Sequence, residues 1–256
     1  MGAASVVTAR HRLAPAFYAP RPGAPRRGWR DWWLVLHPPY TLWHLSYVVI
    51  GACLAPDVDG VRLTATLAAF FLAVGVGAHA LDELHGRPLR TSIPRRVLIG
   101  AATVSLAGAV ALGVAGVAKV GLGLIGFIAV GVVLAVAYNL ELLGGALHND
   151  TTFAAAWGSF PVLTAYYAQA ETLALPAVFG AGAAFGLSRA QRALSSQARE
   201  LRRKVDALDG TVTFHDGRTR RLDVATVLAP LEAALKSLAA GIVALAIAMA
   251  LFRFRR

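Results

Sequence analysis

Long apolar runs recur through this chain, and they restrict what it can fold into more than any other feature. A bilayer core about 30 Å thick needs roughly 20 helical residues to cross it, so runs of this length predict membrane-spanning helices. A hydrophobic fraction of 57% is high for an ordinary soluble domain. The short alternating segments of a membrane β-barrel are not seen. The sequence therefore predicts an all-α fold, a polytopic membrane helical bundle.

About seven spans can be drawn, and the charge of the loops orients them. Their predicted ranges are 38–55, 61–81, 97–117, 119–138, 151–168, 172–187 and 227–251. Basic residues are concentrated in the N-terminal tail, in the loop after Asp82, between Arg189 and Arg221, and at the C-terminus. The positive-inside rule predicts a cytoplasmic N-terminus and places the loops 82–96 and 139–150 and the segment 188–224 on the same side. The preference for Arg over Lys, with abundant Ala and Gly, suggests a bacterial inner membrane.

Two regions stand apart from the predicted spans. Residues 1–31 are rich in Pro and Arg without an apolar core, so we expect a disordered basic tail. Residues 32–256 are expected to form a single transmembrane helical domain with a cytoplasmic insert at 188–224. Within that insert, apolar residues at spacings of three or four predict an amphipathic helix over 188–208, its arginines on the opposite face. An Asp-Gly pair at 216–217 between two short alternating runs predicts a small β-hairpin.

The net charge and the cysteine content exclude several classes of partner and cofactor. The formal net charge is +11, but the basic clusters lack interleaved aromatic residues, so nucleic acid is not an expected partner. Anionic lipid or diphosphate suits this charge better. The single cysteine, Cys53, lies in an apolar run, so we expect neither an intramolecular disulfide nor a cysteine-rich metal site.

A cluster of ionisable residues marks the end of the second predicted span, from His79 to His85. Ionisable groups at the edge of a membrane segment are usually functional. Asp82 and Glu83 are hard oxygen ligands that suit Mg²⁺, and His79 shares a helix face with Asp82. The structural alternative is that the two acids only form ion pairs with nearby arginines in the following loop.

A different metal centre is possible if this cluster meets a second one in the next cytoplasmic loop. The second cluster consists of Glu141, His148 and Asp150. Imidazoles with carboxylates are ligands for Zn²⁺, Fe or Mn, so these metals are the alternative to Mg²⁺.

Three stretches of the chain resemble the UbiA superfamily of membrane prenyltransferases. The segment 37–46, before a Gly/Ala-rich span, is similar to the first helix of that family. The segment from His79 to Ile93 stands in the place of the family's first Asp-rich loop. Tyr138 and Asn139, with the segment 157–161, are similar to the connection between the fourth and fifth helices. Together these stretches cover residues 35–190.

The resemblance implies a bundle that binds an isoprenyl diphosphate at its cytoplasmic face and transfers the prenyl group to a lipid or aromatic acceptor. It implies that Asp82 and Glu83 are catalytic and that they hold the metal together with His79. The substrate-binding residues expected from it are Arg87, Arg90, Tyr138, Asn139, Arg189, Gln191 and Arg192.

The chain also departs from the family, because no carboxylate stands in place of the second Asp-rich loop before Glu200. Two alternatives therefore stay open. One is a non-catalytic lipid-binding or partner-binding membrane protein on the same fold, and the other is a His/carboxylate membrane metalloenzyme.

Overall fold

The computed structural model describes residues 13–19 and 28–255 of this 256-residue protein. In this part the chain is mostly helical, as predicted, with eight helices and a two-stranded sheet. The first three helices are α1 (Gly28–Val35), α2 (Pro38–Leu54) and α3 (Gly60–Leu84). The remaining helices are α4 (Arg95–Val120), α5 (Leu124–Asn139), α6 (150–170), α7 (Leu175–Arg203) and α8 (Val224–Phe254).

Three of these helices, α3, α4 and α8, are long and apolar enough to cross a membrane, and α5 is a shorter apolar helix. They coincide with predicted spans. This supports a membrane protein by length and composition. The number of seven spans and their orientation are finer predictions, which these three helices do not establish.

Close backbone contacts, made possible by small residues, hold the helices together. A Cβ atom added to Gly51 of α2 would lie 2.3 Å from the carbonyl oxygen of Val162 in α6. A Cβ atom on Gly158 of α6 would lie 2.6 Å from the carbonyl oxygen of Ala184 in α7. Helices in lipid associate through such packing, which explains why Gly and Ala are frequent in this chain.

The predicted cytoplasmic insert, residues 188–224, does not begin as a separate helix. The predicted span 172–187 and the predicted amphipathic helix 188–208 form a single continuous helix, α7. Its Leu194 and Leu201 pack against Leu228 and Leu235 of α8. After α7 comes an antiparallel hairpin of β1 (Gly210–Thr213) and β2 (Thr219–Leu222), so the small hairpin is confirmed.

The first and the last segments of the described part of the chain both contact the bundle. Residues 13–19, which we assigned to the disordered tail, lie against α7, and α1 begins at Gly28. The rest of the predicted tail, residues 1–12 and 20–27, lies outside the described residues. At the other end, Arg253 of α8 donates hydrogen bonds to the carbonyl oxygens of Ala55 and Pro56. This places the end of α8 beside the loop that follows α2.

Candidate functional site

A polar cavity of about 260 Å³, here called the arginine cavity, opens at one end of the bundle. The end of α3, the end of α5 with the 139–150 loop, and the second half of α7 all contribute to it. These are the three polar stretches that the sequence assigned to one face of the membrane. The ionisable residues that line the cavity are Tyr18, His37, Tyr40, His79, Asp82, Tyr138, His148, Arg192, Arg199, Arg202, Arg203 and Glu232.

Four arginines of α7 line this cavity. Residues 192, 199 and 203 follow one another at spacings of seven and four, which places them on one helix face. In this half of α7, beyond the predicted span, burial lowers the pKa of Arg199, and the like charge of Arg192 adds to that effect. Burial also lowers the pKa of Arg203. A guanidinium starts from a pKa above about 12, so these groups stay charged and form a cationic wall.

The four arginines differ in how far their charges are already paired. Arg192 Nε lies 3.0 Å from Asp150 Oδ1, and Arg202 Nε lies 2.5 Å from Glu232 Oε1. In contrast, Arg199 donates within the described part of the chain only to a hydroxyl, Ser196 Oγ, at 3.2 Å. Arg203 likewise donates only to a neutral oxygen, the Pro15 carbonyl, at 3.3 Å, so Arg199 and Arg203 are the guanidiniums whose charges are most available to a ligand.

Residues 13–19, here called the N-terminal strap, form one wall of the cavity. Arg202 and Arg203 donate to the carbonyl oxygens of Ala14 and Pro15 at 3.1 and 3.3 Å. The Tyr18 hydroxyl forms a hydrogen bond with His37 Nδ1. Burial raises the pKa of Tyr18 and lowers the pKa of His37, to which the neighbouring His79 adds a smaller effect in the same direction, so both groups are neutral near pH 7.

The two adjacent acids at the end of α3 have different surroundings. Asp82 lines the cavity, and its carboxylate has neither a hydrogen bond nor a salt bridge to any described residue. Arg199 and Arg203 act on it electrostatically. Neighbouring residues of a helix point about 100° apart, so Glu83 does not share this position.

Glu83 holds the loop that follows α3. Its side chain is fully buried, and it accepts hydrogen bonds from Leu89 N at 3.0 Å, Thr91 N at 2.9 Å and Thr91 Oγ1 at 2.8 Å. Arg87, 4.0 Å from this carboxylate, donates to the carbonyl oxygen of Ile93 at 2.7 Å. Neither Glu83 nor Arg87 lines the cavity. Both stabilise the loop instead.

The other predicted site residues divide into two groups. His79, Tyr138, Asn139, Gln191 and Arg192 line the cavity together with Asp82. Outside it lie Arg90 and the exposed Arg189, which donates to Thr151 Oγ1.

Sequence reasoning missed four charged contributors to the cavity, namely Arg199, Arg202, Arg203 and Glu232, as well as the strap. The spacing of Arg199 and Arg203 from Arg192 is the signal that could have found two of them. The sequence analysis places these arginines on the helix face opposite the apolar residues and gives them no role in the site.

An apolar groove of about 300 Å³ adjoins the cavity, between α3, α4, α5 and α6. Val74 of α3 and Trp157 of α6 line both the groove and the arginine cavity. At the far end lie Arg62 and Lys119. Arg62 donates to the Lys119 carbonyl oxygen and forms a salt bridge with Glu171 at 2.9 Å, so its charge is paired.

The junction of groove and cavity lies at two irregular helical segments. Both are π-helical, Phe71–Ala78 in α3 and Ala155–Ser159 in α6, and they contain Val74 and Trp157. Such segments are often found at functional sites. The carbonyl oxygen of Trp157 accepts a hydrogen bond from His44 Nδ1 at 2.8 Å, which fixes this segment against α2.

The metal-binding capacity of the cavity is limited. Of the ligands predicted for Mg²⁺, only Asp82 and His79 line it, because the Glu83 carboxylate already accepts three hydrogen bonds elsewhere. Of the second predicted cluster, His148 lines the cavity, whereas Glu141 and Asp150 do not. Within residues 13–19 and 28–255, no three His, Cys, Asp or Glu side chains form a group that could hold a metal ion.

Comparison with known proteins adds no relative: no protein-family model, curated protein or solved structure matches this chain. A cationic cavity beside an apolar groove is complementary to an amphiphile with an anionic head and a hydrocarbon tail.

Proposed function

We propose that this chain is a prenyltransferase-like integral membrane protein that binds an isoprenyl diphosphate and transfers its prenyl group to a lipid or aromatic acceptor. The observation that carries the proposal is that the arginine cavity and the apolar groove adjoin one another, with Val74 and Trp157 lining both. The proposal includes about seven spans in a bacterial inner membrane, with the N-terminus and the cavity on the cytoplasmic side.

The diphosphate head belongs in the arginine cavity for reasons of hydrogen bonding and charge. Phosphate oxygens accept hydrogen bonds and guanidinium groups donate them in pairs, so arginines are suited to bind this head. Arg199 and Arg203 each donate one hydrogen bond to a neutral oxygen in the described part of the chain, and both lie on the same helix face as Arg192. The charge of Arg192 is already paired in part with the Asp150 carboxylate.

The isoprenyl tail belongs in the apolar groove. Along α3 the lining runs from Val74 to Arg62, which corresponds to about 18 Å at a rise of 1.5 Å per residue. Small residues of α4, among them Gly113 and Gly116, form part of the lining. The groove thus accommodates a long chain that lies along the helices.

Prenyl transfer requires that negative charge on the leaving diphosphate is neutralised while the bond from carbon to oxygen breaks. The guanidinium groups of Arg199 and Arg203 supply that positive charge without rearrangement, because they already face the cavity. Asp82 is the carboxylate in the cavity that stays free to contact the acceptor, since Glu232 is paired with Arg202.

A resident metal does not fit these residues well, because Asp82, His79 and His148 line the cavity but no three ligating side chains of the described residues form a group that could hold a metal ion. Dependence on Mg²⁺ stays a prediction, and dependence on Zn²⁺, Fe or Mn stays the prediction of the His/carboxylate metalloenzyme alternative. Turnover measured with and without a chelator tests it.

Binding of geranylgeranyl diphosphate by the purified protein, measured by native mass spectrometry, tests the proposal. We expect it to bind, and geranylgeraniol, which has the same tail, to bind much more weakly. Arg199→Gln should weaken binding about tenfold or more, because it removes charge-assisted hydrogen bonds. Arg189→Gln is the matched control, since Arg189 lies on the same helix outside the cavity.

Equal binding of the alcohol, or equal loss in both arginine variants, would count against the proposal. Release of diphosphate in the presence of a membrane lipid extract separates the two functional classes. Binding without any turnover would favour the non-catalytic lipid-binding alternative.

A further inference from the structure

The short helix α1 has one face that is held by the protein and one face that is exposed. On the held face, the buried Asp31 accepts hydrogen bonds from Ser92 N at 2.8 Å and from the Ser92 hydroxyl. On the opposite face, Trp29 is 67% exposed and Trp33 is 48% exposed. These two positions are four apart, so both indoles lie on the same side of the helix. Adjoining exposed apolar side chains of this size indicate a surface that contacts a partner.

A second pair of exposed apolar side chains lies at the same end of the bundle, in the 139–150 loop. Leu142 is 45% exposed and Leu143 is 80% exposed. Leu143 also has a φ of 57°, in the left-handed region that a residue with a Cβ atom rarely adopts. Leu140, at the start of the loop, packs against the apolar cluster that contains Leu34 of α1. The loop and α1 are therefore neighbours, and each exposes two large apolar residues.

The position of the membrane relative to these residues follows from the length of α4. Its 26 residues extend about 39 Å, whereas a bilayer core is about 30 Å thick. The charged residues of this helix stand near its two ends, Arg95 and Arg96 at the beginning and Lys119 at the end, so both ends reach the headgroup layers. Ser92, which holds α1, comes three residues before Arg95. Helix α1 therefore lies at the level of the headgroups.

The charge at the beginning of α4 indicates which headgroups fit this surface. Arg95 and Arg96 are exposed, and neither guanidinium forms a salt bridge with a described residue. The first turn of α4 contains no acid that could compensate the two charges. A negatively charged headgroup complements them, whereas a second copy of this chain placed face to face would bring like charges together. The charge therefore favours an anionic phospholipid as the partner.

We infer that the exposed face of α1 and the tip of the 139–150 loop insert into the headgroup layer of the membrane, and that the arginine pair of α4 binds anionic phospholipid there. The residues of this interfacial surface are Trp29, Trp33, Leu142, Leu143, Arg95 and Arg96. Indole rings are enriched at this depth, and arginine side chains extend from apolar surroundings towards phosphate groups. Ile99, one turn after Arg95, is exposed and apolar, so the lipid-facing side of α4 begins directly beside the arginines. The inference concerns the seating of the protein in the bilayer and does not depend on prenyl transfer.

The depth of the loop in the bilayer tests the apolar part of this surface. Leu143→Cys, labelled with the environment-sensitive dye NBD, is reconstituted into vesicles of phosphatidylethanolamine and phosphatidylglycerol that contain a nitroxide-labelled lipid. We expect blue-shifted emission that nitroxides near the headgroup quench about twofold or more, because a dye at the interface contacts lipid. Asp216→Cys, at the exposed tip of the hairpin, is the matched control and should stay unquenched. The wild type, whose Cys53 is buried, gives the background.

Tryptophan fluorescence tests the exposed face of α1 without a label. Brominated lipids quench the indoles that they contact, and Trp43 and Trp157 are buried inside the protein. The double variant Trp29→Phe, Trp33→Phe should therefore lose most of the quenching that the wild type shows in vesicles of brominated lipid.

The preference between lipids tests the arginine pair. Quenching by brominated phosphatidylglycerol is compared with quenching by brominated phosphatidylcholine, and we expect the wild type to prefer the anionic lipid. The double variant Arg95→Gln, Arg96→Gln should lower this preference about fivefold or more, because each arginine near the headgroups contributes to binding. The double variant Arg220→Gln, Arg221→Gln changes an equally adjacent and exposed pair in β2, and it should leave the preference unchanged.

Contrary results would overturn the inference in distinct ways. An unquenched dye on Leu143→Cys, or equal quenching of the wild type and the double tryptophan variant, would show that the surface does not contact lipid. Quenching that disappears as the ratio of protein to lipid is raised would show that a second copy of the chain covers it. An unchanged lipid preference in the Arg95, Arg96 variant, or an equal loss in both arginine variants, would remove the assignment to anionic lipid. None of these measurements uses a prenyl diphosphate, so a failure here leaves the proposed function untouched.

Discussion

Replacing the two adjacent acids of α3 should have opposite consequences, although the sequence presents them as a pair. Glu83→Ala removes the acceptor of three hydrogen bonds from Leu89 and Thr91. It leaves two buried backbone N–H groups unpaired, each at a cost of about 1–3 kcal/mol, and an empty space beside them. We therefore expect a destabilisation of about 3–5 kcal/mol. Asp82→Ala breaks no hydrogen bond to a described residue and should cost little.

Thermal unfolding in detergent, followed by the tryptophan fluorescence, measures this contrast. For a chain of this size about 1 kcal/mol corresponds to roughly 2–4 °C, so Glu83→Ala should lower Tm by about 10 °C. Glu83→Gln keeps one acceptor oxygen, so its Tm should lie between the Tm of Glu83→Ala and that of the wild type. Asp82→Ala should stay within about 2 °C of the wild type while prenyl transfer is lost. The reasoning would be refuted if Asp82→Ala destabilised the protein as much as Glu83→Ala did.

Three further predictions concern packing, the strap and topology. Gly158→Ala should destabilise the bundle, because its Cβ atom would lie 2.6 Å from a backbone oxygen, whereas Gly126→Ala, with no atom within 4 Å, should leave Tm unchanged. The double variant Phe17→Ala, Tyr18→Ala should detach the strap and free donors of two arginines, so we expect faster proteolysis of residues 13–19 and tighter binding of geranylgeranyl diphosphate. A cysteine introduced by Asp216→Cys in the hairpin should react with an impermeant thiol reagent only when inside-out vesicles are used, since the buried Cys53 does not compete; labelling of right-side-out vesicles would contradict the orientation.

The sequence predicts best those parts of the fold that are determined by residues close to one another in the chain. Apolar composition over about twenty residues predicts α3, α4 and α8 without knowledge of their neighbours. The Asp-Gly pair at 216–217 predicts the hairpin, because Gly217 has a φ of 81° that glycine adopts without strain. The continuity of α7 was missed, since a change from apolar to charged residues looks like a boundary even where the backbone continues as a helix.

The site was predictable only where its residues lie close to one another in sequence or repeat a helical spacing. Asp82 and His79 share a face at a separation of three, and both line the cavity. The orientation of Glu83 depends on a hydrogen bond with Thr91, eight positions away, and neither composition nor helical spacing predicts that contact. The strap depends on a contact across 188 positions, between Ala14 and Arg202. Such pairings follow from tertiary packing and not from local propensity.

The arginines of α7 do not lie where the charged face of an amphipathic helix is normally expected to lie. Charged residues opposite an apolar helix face normally point to water, because burying a charge without a partner is costly. Here the second half of α7 lies at the edge of a polar cavity, where Glu232 and the strap carbonyl oxygens partly replace water as partners. Arg199 and Asp82 remain without a strong partner of their own. These two side chains act on one another electrostatically but form no hydrogen bond with each other in the described part of the chain. A cationic wall that protein acids neutralise only in part attracts an anionic group, and this is the physical basis of the proposed diphosphate site.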